Sequence, residues 1–354
     1  MKAWENNIRR VEPYVPGEQP DIPGMIKLNT NENPYPPAPG VERILEEIDH
    51  DSVAGLRLYP DPDSKKLIQA LAEFYQITPD MIYVGVGSDD VLALSFLAFF
   101  NSGKKILFPD VTYSFYDVWA DLYRIPYERP EVDEELRIRR EDYYKENGGV
   151  VIANPNAPTG IYENLDFIRD ILDHNQDVIV IVDEAYIDFG GVSALSLLKE
   201  YENLLVVQTF SKSRSLAGMR IGFAMGNPSL IRALNDVRSS FNSYPMTRLT
   251  TLLGVESVKD RAYFEETTSK IIRTRERVKK ELRDLDFTFP DSSTNFIFAR
   301  HKRVDANIIF QKLREQSIFV RHFSSAKINN YLRITVGTDE EMDTFIRQVK
   351  KIVE

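Results

Sequence analysis

Between residues 81 and 225, short runs of apolar, mostly β-branched residues alternate with stretches whose apolar positions recur at helical spacing. The runs Met81–Val86, Lys105–Phe108, Gly149–Ala153, Val178–Val182, Leu204–Gln208 and Ile221–Met225 predict strands. Their alternation with helical patterns predicts an α/β fold, a mostly parallel sheet between layers of helices. Val178 to Val182 is apolar at every position, as expected of a strand covered on both faces. No helical pattern separates Leu204–Gln208 from Ile221–Met225, so the latter is the candidate for an antiparallel member.

Ahead of this region, Pro13, Pro16, Pro20, Pro23, Pro34, Pro36, Pro37 and Pro39 forbid long helices and leave an arm with one short strand around Met25–Leu28. From Pro245 to about Asp284 the pattern is long, charged and free of glycine after Gly254, which predicts a helix linking two domains. Beyond it, Asn295–Ala299, Ile318–His322 and Tyr331–Val336 read as strands between helical stretches at Val304–Gln316 and Asp339–Val353, a small α+β layer. The expected division is a large domain over 33–245, with an N-terminal arm (1–32) and a small C-terminal domain (246–354).

Composition narrows the function. The chain has 354 residues, 43% of them hydrophobic and 28% charged, and a net charge of −10 that repels nucleic acid and anionic lipid. It has no cysteine, and its four histidines (His50, His174, His301, His322) form no i, i+4 pair, so thiol chemistry and metal sites drop out. The longest apolar run, Val91 to Phe100, falls short of a membrane span, and the first seven residues lack an apolar signal core, which predicts a soluble, cytoplasmic protein.

Four polar segments interrupt the strand pattern. The loop Thr209-Phe210-Ser211-Lys212-Ser213-Arg214-Ser215-Leu216-Ala217-Gly218-Met219-Arg220 follows a buried strand, at the sheet edge where open α/β folds bind ligands; taken alone, Lys212 reads first as an ordinary solvated loop residue. Asp183 closes the most apolar strand and is followed by Glu184-Ala185-Tyr186; it reads as a helix cap, a loop charge or a buried functional acid. An ATPase reading of this Asp-Glu pair fails for want of a Gly-x-x-x-x-Gly-Lys-[Ser/Thr] loop. Gly85-Val86-Gly87-Ser88-Asp89-Asp90 opens an apolar helix and lacks the third glycine of a dinucleotide fingerprint; it is either a capped helix start or a phosphate cradle. Asn154-Pro155-Asn156-Ala157-Pro158-Thr159-Gly160 forms a rigid turn, either a plain connector or a ligand clamp.

In this order and register the four segments resemble the fold type I aminotransferases that use pyridoxal 5′-phosphate. Leu28-Asn29-Thr30-Asn31-Glu32-Asn33-Pro34, Leu58-Tyr59-Pro60, the Ser-Lys…Leu-Ala-Gly-Met-Arg block and Tyr331-Leu332-Arg333-Ile334-Thr335-Val336-Gly337-Thr338 look most like the histidinol-phosphate aminotransferases, from about Tyr14 to the last helix. The resemblance implies that Lys212 forms the Schiff base with the cofactor and carries the proton between Cα and C4′. It implies that Asp183 keeps the pyridine nitrogen protonated, Tyr186 bonds the ring O3′ and Tyr113 stacks on the ring. It puts the cofactor phosphate against Gly87, Ser88, Asp89, Thr209, Ser211 and Arg220, with Tyr59 reaching in from the other subunit of a homodimer. The family commonly has Asn directly before Pro-Thr-Gly, and here Ala157 stands there, so either Asn156 substitutes or Tyr186 holds O3′ alone.

For the substrate, the resemblance points to Arg321 and Arg333 as the anion site and to Tyr14, Asn31 and Asn33 from the arm. An arginine between apolar strand residues, as in Leu332-Arg333-Ile334, is costly to bury without an anion, although an edge-strand arginine facing solvent fits the same pattern. The implied reaction transfers the amino group between L-histidinol phosphate and 2-oxoglutarate, a step of histidine biosynthesis. Alternatives on the same scaffold are a phosphothreonine decarboxylase and an aromatic amino-acid aminotransferase; from another class, a non-enzymatic cofactor-binding regulator has no DNA-binding appendage to support it.

Overall fold

The computed structural model describes residues 2–354; Met1, the first residue of the expected arm, lies outside the described residues. Its strands are β1 (Ile26–Leu28), β2 (Ile82–Gly85), β3 (Ile106–Leu107), β4 (Tyr127–Glu128), β5 (Val150–Ala153), β6 (Val180–Asp183), β7 (Leu204–Thr209), β8 (Gly222–Gly226), β9 (Phe287–Thr288), β10 (Phe296–His301), β11 (Ile318–His322) and β12 (Leu332–Thr335). Seven of them form one sheet in the order β2-β8-β7-β6-β5-β3-β4. All neighbours are parallel except β8, which is antiparallel to both β2 and β7. The chain reaches β8 through a loop with only one short 3-10 turn, too little for a crossover, so the antiparallel return is forced.

Strands β5, β6 and β7 are buried throughout. Val150, Ile152, Val180, Val182, Leu204 and Val206 enter the apolar cluster on one face, whereas Val151, Ile181, Leu205 and Val207 enter the cluster on the other. Helix Ser88–Phe99 buries Val91, Leu92, Leu94 and Phe96 in this second cluster, which fixes its N-terminus beside the carboxyl end of the sheet.

The second sheet has the order β1-β11-β12-β10-β9, with β1 parallel to β11 and the other pairs antiparallel. Strand β1 belongs to the arm, and Leu28 is buried in the small-sheet core with Ile297, Ile334 and Phe345. The arm is therefore part of the small layer.

Two expectations change. The patterns of β4 and β9, two residues each, are too short to register as strands. The long helix expected from Pro245 to Asp284 is two helices, Arg248–Lys259 and Arg261–Asp284. Asp260 breaks it with ψ 72°, its carboxylate accepting the Tyr263 N–H at 3.1 Å as a cap. The first piece packs Leu253 and Val258 into the large-sheet core, and a Cβ on Gly254 would stand 3.1 Å from Leu67. The second buries Val278 and Leu282 in the small-sheet core. Packing of the large layer thus runs past the break expected at 245. Among the described residues no helix is long and apolar enough to cross a membrane.

Candidate active site

A cavity of about 390 Å³ opens where β5, β6 and β7 end, and Asp183, Tyr186, Lys212, Tyr113, Ser88 and Arg220 are in its wall. Asp183 is 5% exposed. The Tyr116 hydroxyl donates to its Oδ2 at 2.7 Å and the Ala185 N–H to its Oδ1 at 3.2 Å. Burial nevertheless pushes the carboxyl up to about 6, against the pull of these two donors. The adjacent Glu184 is buried too and pushed up to about 7, but Ser193, the Ala194 N–H and Gln208 donate to it and it does not line the cavity.

Lys212 Nζ donates to the Thr30 carbonyl at 3.1 Å and lies 5.8 Å from the Tyr186 ring centre. Its loop is anchored on both sides. Before it, the Ser211 N–H donates to the Thr209 hydroxyl at 3.1 Å. After it, the Ser213 hydroxyl donates to half-buried Asp188, and the Arg214 guanidinium stacks on Phe264 and Phe74 at 4.4 and 4.6 Å. The Tyr186 hydroxyl accepts from Asn31 Nδ2 at 2.8 Å.

The far end of the cavity is built for an anion. No side chain caps the N-terminus of helix Ser88–Phe99, so its first N–H groups remain available. Gly87 has φ +86°, and a Cβ there would stand 2.6 Å from the Arg220 guanidinium; a Cβ on Gly222 would stand 2.2 Å from the Gly87–Ser88 backbone. Only glycine at both positions leaves this space open. Arg220 bonds Asp89 Oδ2 at 3.3 Å, and the Tyr113 hydroxyl donates to Asp89 Oδ1 at 2.7 Å.

A second cavity, of about 330 Å³, shares Tyr113 and Ala157 with the first and holds Tyr14, Arg321 and Arg333. Arg321 and Arg333 face each other across the β11–β12 pair, where like charges repel. Arg333 donates to the Asn29 carbonyl at 3.1 Å, but its buried Nε has no partner, and burial pushes the guanidinium below its ordinary range. Tyr14 stacks on Phe115 at 4.1 Å.

Five expected residues do not line either cavity: Gly87, which borders the first through the Ser88 backbone, and Asn31, Asn33, Tyr59 and Asn156. Asn156 donates to the Val111 carbonyl and Thr159 and accepts from Thr112, so its amide is spent on fastening its own turn. Asn33 donates to the Lys212 and Ser213 carbonyls at 3.2 and 3.1 Å and so supports the lysine loop from outside. Tyr59 is 81% exposed and stacks on Tyr244, away from Lys212 of its own chain. Asn31 reaches the site through Tyr186, its remaining groups bonding Thr335 and Asn295. The cavity also takes Gln19, Thr30 and Glu32 from the arm and rests on Tyr116. Thr30 and Glu32 stand in the quoted arm motif, whereas nothing in an apolar helix pattern distinguishes Tyr116 from core.

Residues 23–349 match the family model of aminotransferase class I and II. The chain is 51% identical over 352 residues to a histidinol-phosphate aminotransferase of Lactococcus lactis subsp. cremoris (strain MG1363), covering 99% of this chain and 98% of that one. It is 50% identical over 356 residues to a protein of the same description from Brachyspira hyodysenteriae, covering both chains fully. A solved histidinol-phosphate aminotransferase from Sinorhizobium meliloti in complex with pyridoxal-5′-phosphate superposes with TM-score 0.84 at 23% identity, over 93% of this chain and 90% of that one. The strand order, the lysine loop after β7 and these full-length matches have one reading: the chain belongs to the class I and II aminotransferases.

Proposed function

We propose that this aminotransferase exchanges an amino group between L-histidinol phosphate and 2-oxoglutarate with pyridoxal 5′-phosphate as cofactor. The observation that carries this reading is the adjoining of the two cavities, one with Lys212 and buried Asp183, the other with the arginine pair. The cofactor fits the first: the glycine-dependent opening at Gly87 and Gly222 is lined with phosphate donors, and a cationic ring nitrogen would relieve the cost of the buried Asp183 charge.

When bound, pyridoxal phosphate supplies an aldehyde for the amino group and a ring that accepts the electron pair left at Cα. Asp183 holds the proton on the ring nitrogen. The backbone N–H groups of Ser88 and Asp89, with Ser211 and Arg220, would hold the phosphate, with Thr209 bracing Ser211 and Tyr113 placed to cover the ring. Lys212 Nζ, held by the Thr30 carbonyl, would be the group that takes the Cα proton and gives it back at C4′. Tyr186, receiving a hydrogen bond from Asn31, keeps its own hydroxyl proton to donate to O3′, and it does so without an asparagine beside it. Arg321 and Arg333 take the phosphate of one substrate and a carboxylate of the other, and an anion there ends the mutual repulsion and the orphaned Nε.

The test compares histidinol phosphate with phosphothreonine and aromatic amino acids by product analysis; faster turnover of either rival overturns the assignment. Arg333→Ala is expected to lower kcat/KM for histidinol phosphate by about 10- to 150-fold, the loss of a charge-assisted contact. Histidinol without phosphate is expected to be a poor substrate of the wild type and to be little affected by the substitution. Equal slowing of both substrates would mean that Arg333 does not read phosphate.

We also propose a homodimer with a shared site. Tyr59, Leu56 and Leu58 are 81%, 66% and 56% exposed on one segment, apolar surface that a second copy would cover. Tyr59→Phe is expected to be severely impaired, and mixing it with inactive Lys212→Ala subunits is expected to restore part of the activity. A monomer in light scattering, or no recovery on mixing, would refute this.

A further inference from the structure

Tyr116 is fully buried at the start of helix Tyr116–Tyr123, packed against Phe96 and Phe108. Its hydroxyl is nonetheless directed at one atom, Asp183 Oδ2, at 2.7 Å. From this geometry we propose that Tyr116 is a positioning residue that acts through Asp183, holding the carboxylate ionised and fixed in place for the cofactor ring. The inference rests on the cofactor role given to Asp183 above.

The groups around Asp183 leave this task to Tyr116. Its strand neighbours, Ala153 on β5 and Val207 on β7, are apolar and cannot support a charge. The Ala185 N–H, on its own segment, holds Oδ1 at 3.2 Å. Asp89 at the helix N-terminus acts in the opposite direction, as a like charge. Glu32, Tyr113, Tyr186, Lys212 and Arg220 complete the titratable set along the cavity, and none of the five donates to Asp183: Glu32 pairs with Lys27 and Arg220 with Asp89. Burial already pushes this carboxyl up to about 6 with the Tyr116 bond in place. Without that bond the proton would be retained to higher pH, and at neutral pH part of the protein would present a neutral acid to the ring nitrogen.

Tyr116→Phe keeps the ring and its packing and deletes only the hydroxyl. The experiment measures equilibrium binding of pyridoxal phosphate to the cofactor-free variant between pH 5 and pH 9, together with kcat of the loaded enzyme and thermal unfolding. The acid limb of cofactor affinity is expected to move up by about one pH unit, with affinity about tenfold weaker at pH 5, about twofold weaker at pH 7 and wild-type affinity restored in alkali. In an Asp183→Asn background the acid limb is absent, and adding Tyr116→Phe is expected to change affinity less than about threefold, because the two residues act as one unit. A purely structural hydroxyl would instead weaken binding equally at every pH and in both backgrounds, which would overturn the proposal. If Asp183→Asn itself leaves cofactor affinity and turnover unchanged, the reading of Asp183 fails; if that variant is impaired but Tyr116→Phe shifts nothing, only the role of Tyr116 fails.

Discussion

Lys212→Ala is expected to lower transamination on the order of 10⁴-fold, since on the proposed roles it removes both the nucleophile that carries the cofactor and the base that moves the Cα proton. Cofactor binding should weaken far less. The phosphate cradle of Gly87, Ser88 and Arg220 and the buried Asp183 are held by their own packing and hydrogen bonds, none of which passes through the lysine. Equilibrium dialysis of pyridoxal phosphate, set beside steady-state turnover, separates the two effects. Near-normal turnover by the variant would remove Lys212 from the chemistry, whereas complete loss of cofactor affinity would mean that the cradle depends on the covalent bond.

Asp183→Asn should act with opposite signs on stability and catalysis. The folded carboxyl sits at about 6 against 3.8 for the free group, so the folded protein holds this proton more tightly than the unfolded chain. Stability from this site is complete below pH 4 and is lost as pH rises through about 6. By neutral pH the buried charge costs about 3 kcal/mol in the cofactor-free protein, from roughly two units of displacement. The asparagine variant, still able to accept from Tyr116, should therefore melt higher than the wild type at pH 7 without cofactor and match it at pH 4. Turnover of the loaded enzyme should fall by about 10²- to 10³-fold, as for loss of one preorganised electrostatic partner. Calorimetry at the two pH values checks the first half; a variant less stable at pH 7 would show that the native carboxylate is already compensated.

The order of Asp183, Lys212 and Arg220 along the chain is legible because strand periodicity marks where β6 and β7 end, and ligands of open α/β sheets collect at those ends. The antiparallel β8 is legible for the same reason: the loop before it has no helix to carry a crossover. Side-chain direction is another matter. Asn156 and Asn33 sit in polar motifs at the right places, yet their amides bond backbone carbonyls and hold turns. No one-dimensional pattern distinguishes an amide that faces a ligand from one that braces the chain. Tyr116 presents the converse case, a hydroxyl with a task inside what reads as core. The Arg321–Arg333 opposition depends on the register of β11 on β12, which pairs residues twelve apart. The break at Asp260 is a local capping event inside an otherwise unbroken helical pattern.

The arm segment from Asn29 to Asn33 touches both centres of the site within five residues. Its Asn29 carbonyl accepts from Arg333, its Thr30 carbonyl from Lys212 Nζ, Asn31 donates to Tyr186, and Asn33 donates to the carbonyls of the lysine loop. Strand β1, immediately before it, is fixed in the sheet that carries both arginines. The segment thus works as a tie rod between the anion pocket and the amine. An anion that draws Arg333 away from Asn29 slackens one end of the rod, and the other end is the oxygen against which Lys212 rests. Such coupling is reciprocal, so the charge state of the lysine must alter anion affinity by the same factor by which the anion alters the lysine. A substrate of the proposed kind carries its amine and its phosphate on one short skeleton, and the tie rod is the segment through which the pocket for one group would be felt at the pocket for the other.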